Sequence, residues 1–88
     1  MKELDVYGQT YYAAIYDSLT SLAQLHSRYV RSSIMCAKYG DSEASEIFRI
    51  KANCTEECAH SIARSSGLEW DRMRWLLLKP GEMKLCLQ

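Results

Sequence analysis

Apolar residues recur at three- and four-residue steps along residues 10–38, and this spacing predicts a long amphipathic helix. The stripe consists of Tyr12, Ile15, Tyr16, Leu19, Leu22, Ala23, His26, Tyr29, Val30, Ser33 and Ala37. Charged residues such as Asp17, Arg28 and Arg31 fall on the opposite face. The apolar side covers about half of the helix circumference, which is wider than one neighbouring helix can bury. We therefore expect a third element or a second subunit to cover the remainder.

A second helix is predicted over residues 41–66, between two of the glycines in the chain. Its apolar side is assigned to Ala44, Ile47, Phe48, Cys54, Thr55, Cys58, Ala59, Ile62 and Ser66. Gly40 supplies the left-handed residue that ends helix one, and Asp41 or Ser42 can cap helix two. A connection this short makes the two helices antiparallel neighbours.

A short third helix is predicted over residues 69–78, with Pro80 ending it and a tail at residues 79–88. Trp70, Met73, Leu76 and Leu77 share one face of this helix. The segment before it, residues 65–68, has the pattern of a Schellman stop with Leu68 folded back on the last turn. The sequence thus predicts a single all-α domain over residues 1–88, built on a long antiparallel helical hairpin with a short third helix, and dimeric.

Composition narrows the class of protein further. A chain of 88 residues forms one domain with a thin core, which favours self-association or a partner. Lysine plus arginine equals aspartate plus glutamate at 11 each, so the chain has no basic excess to attract nucleic acid or membrane. The longest apolar run, residues 75–78, cannot span a bilayer, and the N-terminal residues lack a signal-peptide pattern. We expect a cytoplasmic protein whose four cysteines are reduced.

Three side chains form the best candidate for metal chemistry. Cys54 and Cys58 lie four residues apart on one helix face, and a turn at Gly40 places His26 opposite Cys54. A zinc site usually needs four ligands, and the fourth is missing. The two-helix seam also offers no cleft for a cysteine nucleophile. We therefore predict neither metal nor cofactor, and a protein that is not an enzyme.

Aromatic residues are the strongest indication of function. Of six tyrosines, Tyr7 and Tyr11 lie near the open end of the hairpin, where Trp70 and Trp75 also fall. Tyrosine and tryptophan are favoured in protein interfaces, although the same residues can close a three-helix core. The sequence predicts a small non-enzymatic regulator or inhibitor that acts by protein–protein contact. Chains of this kind are frequent among phage and mobile-element accessory proteins.

A second hypothesis concerns residues 59–78. Their apolar and glycine positions are Ile62, Ala63, Gly67, Leu68, Met73 and Leu76. This pattern resembles the helix-turn-helix of transcriptional regulators, which implies DNA contacts by Arg72 and Arg74. Glu69 and Asp71 oppose that reading because they would repel phosphates. The first helix of such a motif is short, so helix two would have to break at residues 53–55.

Overall fold

The computed structural model describes residues 6–79, with the backbone alone for residues 6, 7 and 9. This part of the chain contains three helices and no strand: α1 (Val6–Lys38), α2 (Ser42–Ser65) and α3 (Arg72–Leu76). The helices α1 and α2 pack side by side, and α3 packs on α1. The all-α architecture with a long hairpin is therefore confirmed. Helix α1 includes four residues before the predicted start at residue 10.

Both long helices end at a glycine in the left-handed region, as the sequence predicts. Gly40 has φ +84° and Gly67 has φ +75°. After α2, the Leu68 N–H donates to the Ala63 carbonyl oxygen at 2.9 Å, and the Gly67 N–H donates to Arg64 at 3.1 Å. These two bonds define a Schellman motif, which satisfies carbonyl groups that the helix end leaves free.

Asp41 joins the two helices by capping α2. The N–H of Asp41 donates to the Cys36 carbonyl oxygen at 2.8 Å, which closes the end of α1. Its side-chain Oδ1 accepts from the Ala44 N–H at 3.1 Å, which satisfies a free donor in the first turn of α2. Because one residue ends α1 and starts α2, the chain reverses within three residues and the helices are held antiparallel.

The buried side of α2 differs from the predicted one. Ala52 and Thr55 are buried together with Ala59 and Ala63, whereas Cys54, Cys58 and Ile47 are exposed. The spacing of these buried residues, at three and four positions, is that of a regular helix face rotated away from the two cysteines. Alanine side chains on this face let α1 approach closely, which the larger residues would prevent.

Helix α2 runs without interruption through residues 53–55. The break that a helix-turn-helix reading requires there is absent. Within this stretch, Thr55 donates its hydroxyl to the Lys51 carbonyl oxygen at 2.8 Å. This bond to the preceding turn is the usual way for a threonine inside a helix to satisfy its hydroxyl group.

The hydrophobic core lies toward the open end of the hairpin, which is the end opposite Gly40. Leu19, Ala23, Ala59 and Trp75 are its buried members. Partly buried apolar residues surround them: Ile15, Tyr16, Leu22, Ile62, Leu68, Trp70, Leu76 and Leu78. Among the described residues no large side chain is less than 2% exposed. The core is therefore as thin as the chain length implies.

Polar contacts join the two helices near the turn. The Ser33 hydroxyl donates to the Ser45 carbonyl oxygen at 2.9 Å, and the Ser45 hydroxyl donates to the Ser33 carbonyl oxygen at the same distance. The rings of Tyr29 and Phe48 pack nearby with centroids 6.2 Å apart. These pairs fix the register of the hairpin, because each can form in only one alignment of α1 and α2.

Helix α3 is shorter than predicted and presents a different face. It covers five residues, and Asp71 caps it by accepting from the Arg74 N–H at 3.2 Å. The late start turns Trp75 toward the core, where it is 3% exposed, while Met73 and Leu77 are 66% and 70% exposed. Trp70 and Leu76 are half-buried, so the prediction that these two residues share one face with Met73 and Leu77 is wrong.

Candidate protein-binding site at the open end

Trp75 holds α3 against the hairpin. Its indole Nε1–H donates to the Leu19 carbonyl oxygen at 2.9 Å, and its ring packs edge-on to the ring of His26 at a centroid distance of 5.2 Å. A buried indole nitrogen needs a hydrogen-bond partner, and a helix carbonyl provides it without breaking the helix. The sequence left open whether Trp75 binds a partner or closes the core, and in this structure Trp75 is part of the core.

A buried polar group lies beside Trp75. His26 is 7% exposed, and its Nε2 lies 3.7 Å from Glu56 Oε1. The other Glu56 oxygen accepts from Arg72 Nε at 2.7 Å. Burial lowers the pKa of His26; Glu56 raises this pKa and Arg72 lowers it, both to a smaller extent. The Glu56 carboxylate thus links all three helices, since His26 lies on α1 and Arg72 on α3.

Trp70 is the tryptophan at this end that solvent reaches. It is half-buried, and its ring stacks on His60 with centroids 4.9 Å apart and planes inclined by 22°. Its other neighbour is Trp75, at a centroid distance of 5.4 Å. The loop residue Trp70 therefore contacts the buried Trp75 on one side and reaches the surface on the other.

A cleft of about 160 Å³ opens between the hairpin and the segment that carries α3. Its lining is formed by Tyr16, Leu19, Ala63, Leu68, Trp70, Trp75 and Leu78, together with the polar residues Glu69, Asp71 and Arg74. Ligand pockets for drug-sized molecules are roughly 300–1,000 Å³. This cleft is smaller, and its apolar lining suits a single inserted side chain.

The structure brings together two of the four residues predicted to bind a protein. Trp70 and Trp75 both line the cleft. Tyr11 is 46% exposed and packs on the Tyr12 ring at 5.3 Å, but it does not line the cleft. The Tyr7 side chain lies outside the described part of the structure.

Four residues at this end were not singled out from the sequence as part of a binding site. Tyr16 and Leu68 line the cleft, whereas His60 stacks on Trp70 and Glu56 pairs with Arg72 outside it. Their roles depend on the loop at residues 66–71 folding back over the hairpin, which residue spacing does not reveal. The sequence did indicate the start of this fold-back at Leu68, because a Schellman motif places the residue after its glycine against the preceding turn of the helix.

The arginines of the DNA-binding hypothesis have other neighbours here. Arg72 is bound to Glu56, and Arg74 lies exposed at the cleft. A helix of five residues extends only about 7.5 Å, too short to lay several side chains along a major groove. Because α2 is also continuous, the described residues lack the two short helices of a helix-turn-helix.

The suspected metal-ligand group does not assemble. Cys54 and Cys58 are exposed, whereas His26 is buried and faces Glu56. The expected placement of His26 beside Cys54 inside the hairpin is therefore wrong, because α2 turns the position after Cys54 inward instead. Among residues 6–79 no group of three or more histidine, cysteine or acidic side chains could hold a metal ion.

Two further findings bear on the class of protein. In the described range, α1 and α2 both lack a stretch of the length and hydropathy that would cross a membrane. Comparisons of the chain with protein-family models, with characterised proteins and with solved structures find no match.

Proposed function

We propose that this protein is a small non-enzymatic regulator or inhibitor that acts by binding another protein at the open end of its hairpin. The observation that carries the proposal is the apolar cleft lined by Trp70 and Leu68, which opens to the surface beside the thin core. Interface energy is concentrated where an apolar side chain enters a pocket lined by aromatic residues. The cleft has the size and lining for such a contact.

The rim of the cleft adds polar contacts of both signs. Glu69 and Asp71 contribute carboxylates and Arg74 a guanidinium group, and all three side chains are exposed. A mixed rim around an apolar centre is the usual composition of a protein interface. It does not favour nucleic acid, because the two carboxylates adjoin the one arginine.

Non-enzymatic action fits the residues that line the cleft. Nucleophilic catalysis needs a hydroxyl, thiol or amine beside an oriented base. Among the lining residues, Asp71 is already engaged as a helix cap, and the remaining polar groups are Glu69, Arg74 and the Tyr16 phenol. His26, the obvious base, is buried behind Trp75 and does not line the cleft.

Self-association is the second part of the proposal. The apolar stripe of α1 is wider than α2 and α3 together bury, since Val30 is 37% exposed and Leu25, at the edge of the stripe, is only half-buried. A chain without net charge does not repel a second copy of itself. We therefore expect the working form to be a homodimer that presents two open ends.

Affinity capture tests the partner-binding proposal. The tagged wild type, Trp70→Ala and Ile50→Ala are incubated with a nuclease-treated lysate of the source organism. Ile50 is the control because it is 52% exposed on α2 and does not line the cleft. We expect wild type and Ile50→Ala to retain the same protein and Trp70→Ala to lose it, with unchanged circular dichroism. Equal capture by all three would contradict a site at Trp70.

A gel-shift experiment separates the proposal from DNA binding. Duplex DNA at low salt should not shift with wild type. A salt-sensitive shift that Arg72→Ala and Arg74→Ala abolish would instead support the helix-turn-helix hypothesis.

A further inference from the structure

His26 is a titratable side chain that all three helices enclose. It lies on α1 and is 7% exposed. The Glu56 carboxylate of α2 lies 3.7 Å from its Nε2, and the ring of Trp75 from α3 packs edge-on to it at a centroid distance of 5.2 Å. The neutral imidazole fits this position, whereas a protonated ring would have to give up most of its hydration to stay there.

The influences on the charge of His26 come from different helices. Burial, to which the Trp75 ring contributes, and the Arg72 guanidinium lower the pKa of His26, and the Glu56 carboxylate raises it. Trp75 and Arg72 belong to α3, whereas Glu56 belongs to α2. Release of α3 from the hairpin would remove the ring and the guanidinium but leave the carboxylate beside the imidazole. Each of these changes favours the protonated form.

The charged and titratable residues nearest to His26 along each helix face other groups. On α1, Arg28 and Arg31 are exposed and lie about 160° and 140° around the helix from His26. On α2, Glu57 is exposed and His60 stacks on the loop tryptophan. The loop and α3 also carry three charged residues that line the cleft, where His26 does not lie, namely Glu69, Asp71 and Arg74. The charge of His26 therefore depends on whether α3 is in place.

The cleft at the open end depends on the same segment. Residues 68–78 of the loop and α3 provide all of its lining except Tyr16, Leu19 and Ala63 of the hairpin. When this segment leaves the hairpin, the two parts of the lining separate and the apolar cleft no longer exists. A group that controls the docking of α3 therefore also controls the cleft.

We infer that His26 is an acid-sensitive switch, whose protonation releases the α3 segment from the hairpin and dismantles the cleft. Docking of α3 is strongest above pH 6.5, and it weakens as the pH falls toward the lower pKa of the docked form. By linkage, acid raises the ratio of released to docked α3 by the factor by which docking weakens proton binding to His26. The consequence for a partner rests on the proposed function, whereas the release of α3 does not.

Fluorescence quenching of Trp75 tests the release in the full chain. Trp70→Phe leaves Trp75 as the single tryptophan, so that quenching by acrylamide reports its exposure. Between about pH 8 and pH 5, where histidine titrates, we expect quenching to rise while the far-ultraviolet circular dichroism of α1 and α2 is retained. In the same background, His26→Gln should abolish the rise, and His60→Gln, at the other histidine of the chain, should keep it. No rise in the parent, or a rise that persists in His26→Gln, would overturn the inference.

The reciprocal measurement does not require His26→Gln to fold. If docked α3 weakens proton binding to His26, then Trp75→Ala, which removes the main contact of α3, must raise the pKa of His26 in an NMR titration. Met73→Ala is the matched control in the same helix, because Met73 is 66% exposed, and it should leave this pKa unchanged. A pKa of His26 that is the same in Trp75→Ala and wild type would overturn the inference.

Capture of the partner at two pH values separates the inference from the proposed function. Wild type should retain at about pH 7.5 a protein that it loses at about pH 5.5, and His26→Gln should retain it at both. Capture at neither pH would contradict the proposed function, while a rise in quenching that depends on His26 would still support the switch. Equal capture by wild type at both values would overturn the control of the cleft by His26.

Discussion

Replacing Trp75 with alanine measures how strongly α3 is bound to the hairpin. The side chain is 3% exposed, and a buried aromatic residue removes about 150–250 Å² from water. At ~25 cal/mol per Å² this burial contributes roughly 4–6 kcal/mol, and the hydrogen bond to Leu19 adds about 1 kcal/mol. Because a released α3 relaxes and part of this surface is covered in the unfolded chain, we expect a net loss of about 3–5 kcal/mol.

Urea unfolding followed by far-ultraviolet circular dichroism provides the assay. Helix α3 is only five residues long, so the helical signal of α1 and α2 remains while the unfolding midpoint falls. Met73→Ala is the matched control in the same helix, since Met73 is 66% exposed, and it should change stability by less than about 0.5 kcal/mol. If Trp75→Ala costs no more than Met73→Ala, α3 is not held by Trp75 and the packing described above is refuted.

Three further predictions concern groups around this contact and the helix ends. The pKa of His26 is lowered below 6.5 in the folded state. The contribution of neutral His26 to the free energy of unfolding is therefore complete above pH 6.5 and is lost as the pH falls through the lower pKa of the folded state. The urea midpoint should accordingly fall less on acidification in His26→Gln than in wild type. Arg72→Ala removes a cation that lowers the pKa of His26, so an NMR titration should find this pKa higher than in wild type. An unchanged pKa would contradict the arrangement of Arg72, Glu56 and His26. Gly67→Ala should lower the free energy of unfolding by about 1 kcal/mol. The cause is the φ of +75° alone, because no atom lies within 4 Å of the added methyl group. Thermal unfolding that is unchanged by the substitution would argue against a left-handed residue at the end of α2.

Helix ends were predictable from the sequence because single residues determine them. Gly40 and Gly67 occupy the left-handed region and Asp41 caps α2, in agreement with the residue preferences of these positions. The hairpin follows directly from that short connection. Its antiparallel packing needs no other long-range information.

The orientation of α2 was not predictable in the same way. Cys54 and Thr55 are adjacent, and residue spacing placed both on the predicted apolar side of α2, so the sequence alone did not decide which of them faces α1. Close approach of α1 decides it, because the small side chains of Ala52 and Ala59 permit that approach. The predicted apolar side of α2 placed Cys54 and Cys58 inside the hairpin, and this placement is what made them look like metal ligands together with His26.

The cleft could not be predicted from the sequence, because it is formed by a loop and a very short helix, and residue spacing predicts the structure of such segments poorly. Residues 66–71 form a loop, and its fold-back decides that Trp75 enters the core while Trp70 stays at the surface. Spacing along a five-residue helix is too short to show which face is buried. The sequence placed aromatic residues at the correct end but did not distinguish their roles.

Site-specific photo-crosslinking tests the proposed partner site most directly. A photoreactive amino acid replaces Glu69 at the rim of the cleft in one variant and Ile50 on α2 in another, and both are irradiated in the lysate. We predict that the variant at Glu69 forms a covalent adduct with one cellular protein and that the variant at Ile50 does not. Adducts of equal yield at both positions, or none at Glu69 while the partner is captured, would contradict binding at the open end.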